Sequence, residues 1–150
     1  MGLNINYRPA LDSDKSFLLE LRSKTMDPHL VASSLPVSEE AHLSRINYKF
    51  DQAYIIELDM VAIGLLKADR KIDDIEIIQI QIAPEYQNKG IGRSVLQAVI
   101  QEATASNQSV SLSVLKVNRA QELYISLGFK TVAEDESSYL MQYGPAGMSL

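Results

Sequence analysis

Gln87-Asn88-Lys89-Gly90-Ile91-Gly92 joins two segments of different periodicity. It follows the apolar run 75–82, which is typical of a buried strand, and it opens a helical pattern of apolar residues over 91–103. A glycine-bearing turn between a strand and a helix leaves several backbone N–H groups free at the positive end of the helix dipole. Such a turn is suited to binding phosphate.

The residue types in this turn also suit an anion that carries several phosphates. Gly90 and Gly92 have no side chain, so the backbone can adopt strained dihedrals and an anion can approach its amides closely. Lys89 and Arg93 add positive charge beside those amides. Taken alone, the turn is more typical of a simple helix start than of a phosphate site.

Two other phosphate-binding loops do not fit the spacing. A P-loop has a lysine directly after its second glycine, whereas Lys89 precedes Gly90. A dinucleotide-binding loop has a third glycine where Val95 stands, and an acid after the next strand where Lys116 stands. The pattern that remains is Q-x-x-G-x-G, and its meaning depends on a second motif.

That second motif is Asn118-Arg119-Ala120-Gln121-Glu122-Leu123-Tyr124-Ile125-Ser126-Leu127-Gly128-Phe129. Together the two segments resemble the GNAT superfamily of acetyl-CoA-dependent N-acetyltransferases. The later half of these proteins reads V-x-P-x-Y/F-Q/R-x-x-G-I/V-G and then N-x-x-A-x-x-L/F-Y-x-x-x-G-F. The resemblance is strong over 75–143 and looser in the first half, where 5–10 matches the opening strand.

The resemblance implies an α/β fold with a mixed α+β sheet. The sheet is expected to be central, mostly antiparallel and six- to seven-stranded, with about four flanking helices. A single domain is expected over residues 1–150, with 144–150 as a loose tail.

Local patterns predict the individual elements. Ser13 or Asp14 is expected to cap a first helix, followed by an irregular connection over 25–37 that contains two prolines. Ser38 is expected to cap a second helix whose apolar positions extend to Phe50. The remaining predictions are strands over 53–58, 61–68, 109–115, 129–134 and 138–143, with a hairpin turn at 59–60 and a helix from Asn118.

The resemblance further implies acetyl-CoA as the acyl donor. The turn would bind its pyrophosphate, and backbone groups around Ile80 and Ile82 would pair with the pantetheine arm as if it were a strand. Asn118 would contact the same arm, although an asparagine there can equally cap the helix. The implied cofactor-binding residues are Ile80, Ile82, Gln87, Asn88, Lys89, Gly90, Ile91, Gly92, Arg93, Asn118 and Tyr124.

Two residues are candidates for catalysis. The resemblance implies that the Tyr124 hydroxyl protonates the leaving thiolate, although the ring also has the spacing of a packed helix aromatic. Glu76 stands where some histone-acetylating relatives carry a base, and partial burial would raise the pKa of its carboxyl. An ordered water is the alternative base. Gln79 and Gln81 either line the acceptor cleft or pair within the sheet.

Composition limits the possible function. The chain has 150 residues, 46% of them hydrophobic, which is enough for one core. A net charge of -5 argues against a nucleic-acid partner and weakly favours a cationic amine. The chain has no cysteine and only two histidines, His29 and His42, so no metal site is predicted, and each histidine is expected to be a surface or loop residue rather than a catalyst. With no membrane-spanning tract or signal peptide in the sequence, a cytoplasmic location is expected.

The predicted function is acetyl transfer to a primary amine of a small molecule or peptide, by direct attack in a ternary complex. The alternatives are a catalytically silent GNAT-fold module that binds acyl-CoA or a protein, and acyl transfer to an oxygen. Acceptor specificity is expected to reside in 21–50 and 139–143. Many relatives form dimers, so the resemblance also allows a homodimer.

Overall fold

The computed structural model describes residues 4–144, which contain seven strands and four helices. The strands are β1 (Ile5–Pro9), β2 (Ala53–Leu58), β3 (Val61–Arg70), β4 (Asp74–Ile82), β5 (Ser109–Leu115), β6 (Lys130–Glu134) and β7 (Ser138–Tyr143). The helices are α1 (Lys15–Ala32), α2 (Glu39–Asn47), α3 (Ile91–Ala105) and α4 (Ala120–Ser126). Of the predicted loose tail, only Gly144 lies within the described residues.

The strands form one sheet in the order β1-β2-β3-β4-β5-β7-β6. Pairing is antiparallel for β1 with β2, β2 with β3, β5 with β7, and β6 with β7. It is parallel for β4 with β5, the two strands that α3 connects. The predicted fold class, a mixed and mostly antiparallel sheet with four helices, is therefore confirmed.

The chain forms two compact units. The first unit comprises the residues up to Lys67 together with Gln79–Gly92, and the second comprises Ala68–Ile78 together with the chain from Arg93 onward. That the whole chain acts as one domain stays a prediction.

In the first unit, the core lies between the two early helices and the hairpin strands. Its buried members are Leu18, Leu21, Ile46, Ala53, Ile55 and Leu65. Each large aliphatic side chain removed from water contributes about 1.5–3 kcal/mol. The hairpin turn has positive φ at both Asp59 and Met60, the geometry that matches the twist of paired strands. The predicted hairpin is confirmed.

Helix α1 is longer than the sequence predicts. The expectation of an irregular segment over 25–37 is wrong as far as Ala32, because the helix continues through Pro28. Proline removes one backbone donor from a helix, but Leu30 lies in the next turn and is buried. Burial of this apolar side chain outweighs the local signal of the proline.

The start of α1 also differs from the prediction. The Asp14 side chain makes no cap hydrogen bond to the helix, and Ser13 lies in a short 3-10 turn before it. Instead, the Asp14 carboxylate accepts hydrogen bonds from Arg8 Nη1 and Nη2, at 2.8 Å and 2.9 Å. The Arg8 guanidinium holds the pKa of the Asp14 carboxyl below its usual value. A charged partner from β1 therefore replaces the expected helix cap.

Helix α2 begins as predicted, because Ser38 Oγ accepts a hydrogen bond from Ala41 N at 3.1 Å. It ends at Asn47 rather than near Phe50. The backbone of Lys49 is left-handed, with φ 49°, so the helix cannot continue to the aromatic residue.

In the second unit, β4 and β5 are held in parallel by side-chain hydrogen bonds as well as by their backbone pairing. The Asp74 carboxylate accepts hydrogen bonds from Ser109 Oγ and Ser111 Oγ, both at 2.7 Å. The buried apolar side chains of this unit include Ile75, Val95, Leu96, Val99, Val110, Leu112, Phe129 and Met141. Within residues 4–144, no helix is long and apolar enough to cross a membrane.

Candidate active site

The glycine-bearing turn lies in the first unit as far as Gly92. A 3-10 turn over Pro84–Tyr86 follows β4, and α3 starts at Ile91. Between them, Asn88 and Gly90 have positive φ, 61° and 82°. A Cβ at position 90 would meet nothing within 4 Å, so glycine is needed there for its backbone angle rather than for space. Gly92 is a helical residue in the first turn of α3, so of the two glycines in this turn only Gly90 has a positive φ.

The turn presents free donors. Among the described residues, none accepts a hydrogen bond from the backbone N–H of Gly90, Ile91 or Gly92. These amides stand at the positive end of the 15-residue helix α3. Gln87 Nε2 donates to Ile82 O at 2.9 Å and thereby ties the turn to the end of β4. The arrangement leaves three backbone donors at the start of α3 for an anion.

The strand that precedes the turn makes a close backbone contact. A Cβ on Gly64 would lie 2.4 Å from Gln81 O, so β3 and β4 approach each other there only because position 64 is glycine. Ala83 N donates to Ile63 O at 2.8 Å just beyond. The Ile82 carbonyl already accepts the bond from Gln87, so a second partner would use its other lone pair.

The second motif lies in the second unit. Asn118 Oδ1 accepts a hydrogen bond from Ala120 N, the first residue of α4, at 2.9 Å, whereas Arg119, which directly precedes the helix, makes no side-chain cap hydrogen bond. The Asn118 Nδ2 group donates to no described residue and is available to a ligand. Arg93 Nη2 donates to Ser126 Oγ at 3.0 Å.

Tyr124 combines a buried ring with an available hydroxyl. The residue is 7% exposed, and its ring centroid lies 5.9 Å from that of Phe129. Its hydroxyl bonds to no described residue and, unlike Gln79 Oε1, is not a fully buried atom. Burial raises the pKa of Tyr124 to about 12, which keeps the hydroxyl protonated.

Glu76 is partly buried and ion-paired. It alternates with the buried residues Ile75 and Ile77, so it lies on the less buried face of β4, and its side chain is 40% exposed. Its carboxylate lies 3.1 Å from Lys71 Nζ. Its role as a base stays a prediction.

Sequence reasoning missed a buried lysine in the first unit. Lys67 is 0% exposed, and its Nζ donates to the carbonyls of Arg45, Ile46 and Tyr48 at 2.9, 3.0 and 2.6 Å. The ammonium thus neutralises the negative end of α2. Burial, together with the charges of Arg45 and Arg22, lowers the pKa of Lys67 to about 8. The sequence did offer one signal of this buried lysine, namely its position within an otherwise apolar strand.

A buried polar chain lies in the same unit. Arg22 Nε donates to His42 Nδ1 at 3.0 Å, and His42 Nε2 lies 2.7 Å from Asp27 Oδ1. Because arginine can only donate, the ring proton is on Nε2 and Asp27 accepts it. The expectation that His42 lies at the surface is wrong, since it is 3% exposed and held from both sides.

Gln79 and Gln81 are both buried on β4, at 6% exposure. Gln79 Nε2 donates to Arg45 O at 3.4 Å, while its Oε1 has no partner. The side-chain oxygen of Gln79 therefore finds no hydrogen-bond partner within the sheet. Among residues 4–144, no group of histidine and carboxylate side chains could hold a metal ion.

The pKa of Lys67 predicts a pH-dependent stability. Between pH 8 and 10 the unfolded lysine, with its ordinary pKa of 10.5, binds more protons than the folded one. The free energy of unfolding contributed by Lys67 should therefore rise with pH, by on the order of 2 kcal/mol. Urea denaturation of the wild type and Lys67→Met at both pH values measures it. An equal pH dependence in both proteins would contradict the prediction.

Comparison with known proteins identifies the family of the domain. The family model "Acetyltransferase (GNAT) domain" matches residues 49–131, which is more than half of the chain. No curated protein sequence matches the chain.

Solved structures share the fold. The PaiA N-acetyltransferase from Thermoplasma acidophilum, in complex with coenzyme A, superposes with a TM-score of 0.73 at 20% identity, over 95% of this chain and 99% of that one. The ribosomal-protein-S18-alanine N-acetyltransferase from Escherichia coli gives 0.68 at 19%, over 97% and 98%. The N-acetylglutamate synthase from Neisseria gonorrhoeae, complexed with coenzyme A and N-acetyl-glutamate, gives 0.68 at 19%, over 97% of this chain and 36% of that one.

Proposed function

This chain belongs to the GNAT acetyltransferase family, and from that membership we propose that it transfers the acetyl group of acetyl-CoA to a primary amine by direct attack in a ternary complex. The observation that carries the proposal is the row of unpartnered backbone N–H groups at Gly90, Ile91 and Gly92, at the start of α3. The fold and the family are common to many acetyltransferases. The free amides are a feature of this chain.

The turn would hold the pyrophosphate of the cofactor. Backbone amides at a helix start favour negative charge, and Lys89 and Arg93 add cationic side chains next to them. Ile80 and Ile82 would supply backbone groups for the pantetheine arm, and Asn118 Nδ2 a side-chain donor. Bound there, acetyl-CoA supplies an acetyl group activated as a thioester.

The chemistry then needs two proton transfers. The neutral amine attacks the acetyl carbon, the new C–N bond forms and the C–S bond breaks. Tyr124 Oη donates a proton to the departing sulfur, because its raised pKa keeps the hydroxyl protonated until the thiolate forms beside it. No step of this reaction calls for a metal.

The proton released by the amine goes to Glu76 or to an ordered water. Glu76 has a carboxylate on the more exposed face of β4, but its pairing with Lys71 must loosen before it can accept a proton. The pH profile of Glu76→Gln separates the two routes, because the acidic limb of the rate is lost only if Glu76 is the base.

The acceptor is a small-molecule amine or a peptide. Two structural neighbours are, by name, enzymes that act on a ribosomal-protein alanine and that form N-acetyl-glutamate, so both kinds of acceptor occur on this fold. A cytoplasmic location fits the cysteine-free composition. Nucleic acid and membrane are not proposed as partners, and a homodimer stays a prediction.

Acetyl-CoA should raise the melting temperature. Saturation at about 100 times Kd adds about 2.7 kcal/mol to the free energy of unfolding, because the cofactor binds the folded chain alone. Differential scanning fluorimetry measures the shift. Pantetheine, which lacks the pyrophosphate, serves as the matched control and should give a much smaller one.

A thiol-release assay with a panel of amines, peptides and alcohols then tests turnover. No shift at millimolar acetyl-CoA would contradict the cofactor assignment. A clear shift without thiol release from any acceptor would favour a silent binding module, and release with alcohols alone would indicate transfer to oxygen.

A further inference from the structure

The C-terminal end of α2 is held by a side chain from another element. Lys67 Nζ, on β3, donates to the carbonyls of Arg45, Ile46 and Tyr48, at 2.9, 3.0 and 2.6 Å. The last four carbonyls of a helix lack a partner within the helix. Arg45 and Ile46 are among these, and Tyr48 directly follows the helix. The three hydrogen bonds, here termed the Lys67 cap, therefore complete the end of α2.

The Lys67 ammonium has three acceptors but no opposite charge. The residue is 0% exposed, and its charge lies among carbonyl oxygens rather than beside a carboxylate. Arg45 on α2 and Arg22 on α1 are the charged groups that act on it, and both are cations. Ala53 lies opposite it on β2, and the β4 residue that shares the Arg45 carbonyl is the neutral Gln79.

Other titratable groups on the adjoining segments leave this balance unchanged. Asp27 of α1 and His42 of α2 bond to each other, while Lys49 and Asp51 lie in the segment that follows α2. None of these four shifts the pKa of Lys67, which burial and the two arginines lower to about 8. Lys67 therefore changes its protonation state in mildly alkaline solution, where an exposed lysine does not.

Loss of this proton changes what Lys67 can hold. An ammonium has three N–H donors, one for each carbonyl, whereas a neutral amine has two and a lone pair. At least one of the three carbonyls must then lose its hydrogen bond. Helix α2 has nine residues, and so short a helix depends on tertiary contacts for its stability. Its end is therefore sensitive to the protonation of one side chain on β3.

We propose that Lys67 is a positioning residue whose protonation state sets how firmly the C-terminal end of α2, and with it the acceptor, is held. The ammonium fixes residues 45–48, and the neutral amine releases one carbonyl and loosens them. This segment lies within 21–50, where acceptor specificity is expected to reside. The link to the acceptor rests on the proposed function, whereas the proton-dependent cap stands on the contacts of Lys67 alone.

Global stability and local order should then change in opposite directions. Loss of the proton removes an uncompensated buried charge, so the contribution of Lys67 to the free energy of unfolding rises with pH. The same loss removes a hydrogen bond from the end of α2. General alkaline denaturation would instead lower stability and order together, so the opposite signs distinguish the proposed change from it.

Carbon-detected NMR tests the proton-dependent cap without turnover. The Lys67 13Cε signal, identified by its absence in Lys67→Met, is followed from about pH 6 to about pH 10, together with the backbone carbonyl signals of Arg45, Ile46 and Tyr48. At least one of these carbonyl signals should move upfield, as on loss of a hydrogen bond, with the midpoint of Lys67 near pH 8. The Ser38 carbonyl, which accepts a backbone bond at the opposite end of α2, should not move.

Two variants sharpen this experiment. Arg45→Gln removes one of the cations that act on Lys67 and keeps the backbone carbonyl, so both midpoints should move together to higher pH. In Lys67→Met the three carbonyl signals should not titrate. Should this variant fail to fold, the wild type and Arg45→Gln decide the matter. A Lys67 midpoint at the ordinary 10.5, or carbonyl signals that do not follow it, would overturn the proposal.

Steady-state kinetics test the link to the acceptor. Acceptor amines also lose protons in this pH range, so the wild type and Lys67→Met are compared at each pH, which cancels the change in the substrate. At neutral pH, KM for the acceptor should be about 5-fold higher in Lys67→Met, with KM for acetyl-CoA unchanged, and this ratio should shrink through the midpoint of Lys67. A ratio that is independent of pH would overturn the link. Titrating carbonyl signals in a protein that acetylates no acceptor would contradict the proposed function and keep the cap.

Discussion

Replacement of Tyr124 by phenylalanine is expected to lower kcat about 100-fold. The reason is chemical rather than structural, because the change removes the hydroxyl and keeps the ring that packs against Phe129. Steady-state kinetics with acetyl-CoA and the best acceptor of the panel measure it. KM for acetyl-CoA should change little, since the proton is needed by the leaving thiolate and not by the bound substrate.

Tyr7→Phe is the control, because it removes a phenol hydroxyl from β1, outside both motifs and outside the segments expected to set acceptor specificity. It should leave kcat near the wild-type value. The pH profile adds a second check: with a pKa of about 12, Tyr124 stays protonated up to at least pH 10, so its loss of a proton causes no fall in rate below that pH. Near-normal turnover of Tyr124→Phe would reduce the residue to a packing role.

The fold was largely readable from the sequence, because its signals are local. Alternating apolar runs bounded by turn residues predicted β2, β5 and β7 with their observed bounds. The start of α3 followed from the glycine turn, and the start of α2 from the cap at Ser38. Each of these depends on a few neighbouring residues, whose conformational preferences act wherever the chain is placed.

The errors arose where distant residues decide. Pro28 signals a helix end, yet α1 passes through it because Leu30 is buried. Asp14 is a residue type that often caps helices, yet its carboxylate forms an ion pair with Arg8 of β1 instead. The burial of Leu30 depends on what packs against α1, and Arg8 lies in another element, so neither effect can be read from the local pattern.

The residues of the candidate site also differ in how far they could be predicted from local sequence. The turn and the Asn118 motif are continuous in sequence and could be recognised, whereas Arg22, His42 and Lys67 come from three separate elements. A buried arginine on a helix looks like an ordinary surface residue until its burial is known. Contacts between side chains from separate elements therefore escape motif reading, even where a continuous motif can be recognised.

Gly92→Glu is expected to abolish acetyl-CoA binding, raising Kd by at least about 100-fold. A carboxylate in the first turn of α3 would place negative charge and bulk beside the amides that are proposed to hold the pyrophosphate. Gly92 is a better target than Gly90, whose φ of 82° would strain any other residue and confuse binding with folding.

The stability of the unliganded variant should move in the opposite direction. Glycine in a helix costs about 1 kcal/mol relative to better helix formers, and an acidic residue near a helix N-terminus interacts favourably with the dipole. Gly92→Glu should therefore melt at or above the wild-type temperature without cofactor, and show no shift with it. Gln97→Glu adds the same charge at an exposed position on α3 and should keep the full shift. A damaged fold would lower the melting temperature of Gly92→Glu both without and with acetyl-CoA. A variant that stays stable but no longer shifts with acetyl-CoA therefore assigns the pyrophosphate to this turn. Unchanged affinity for acetyl-CoA would remove that assignment.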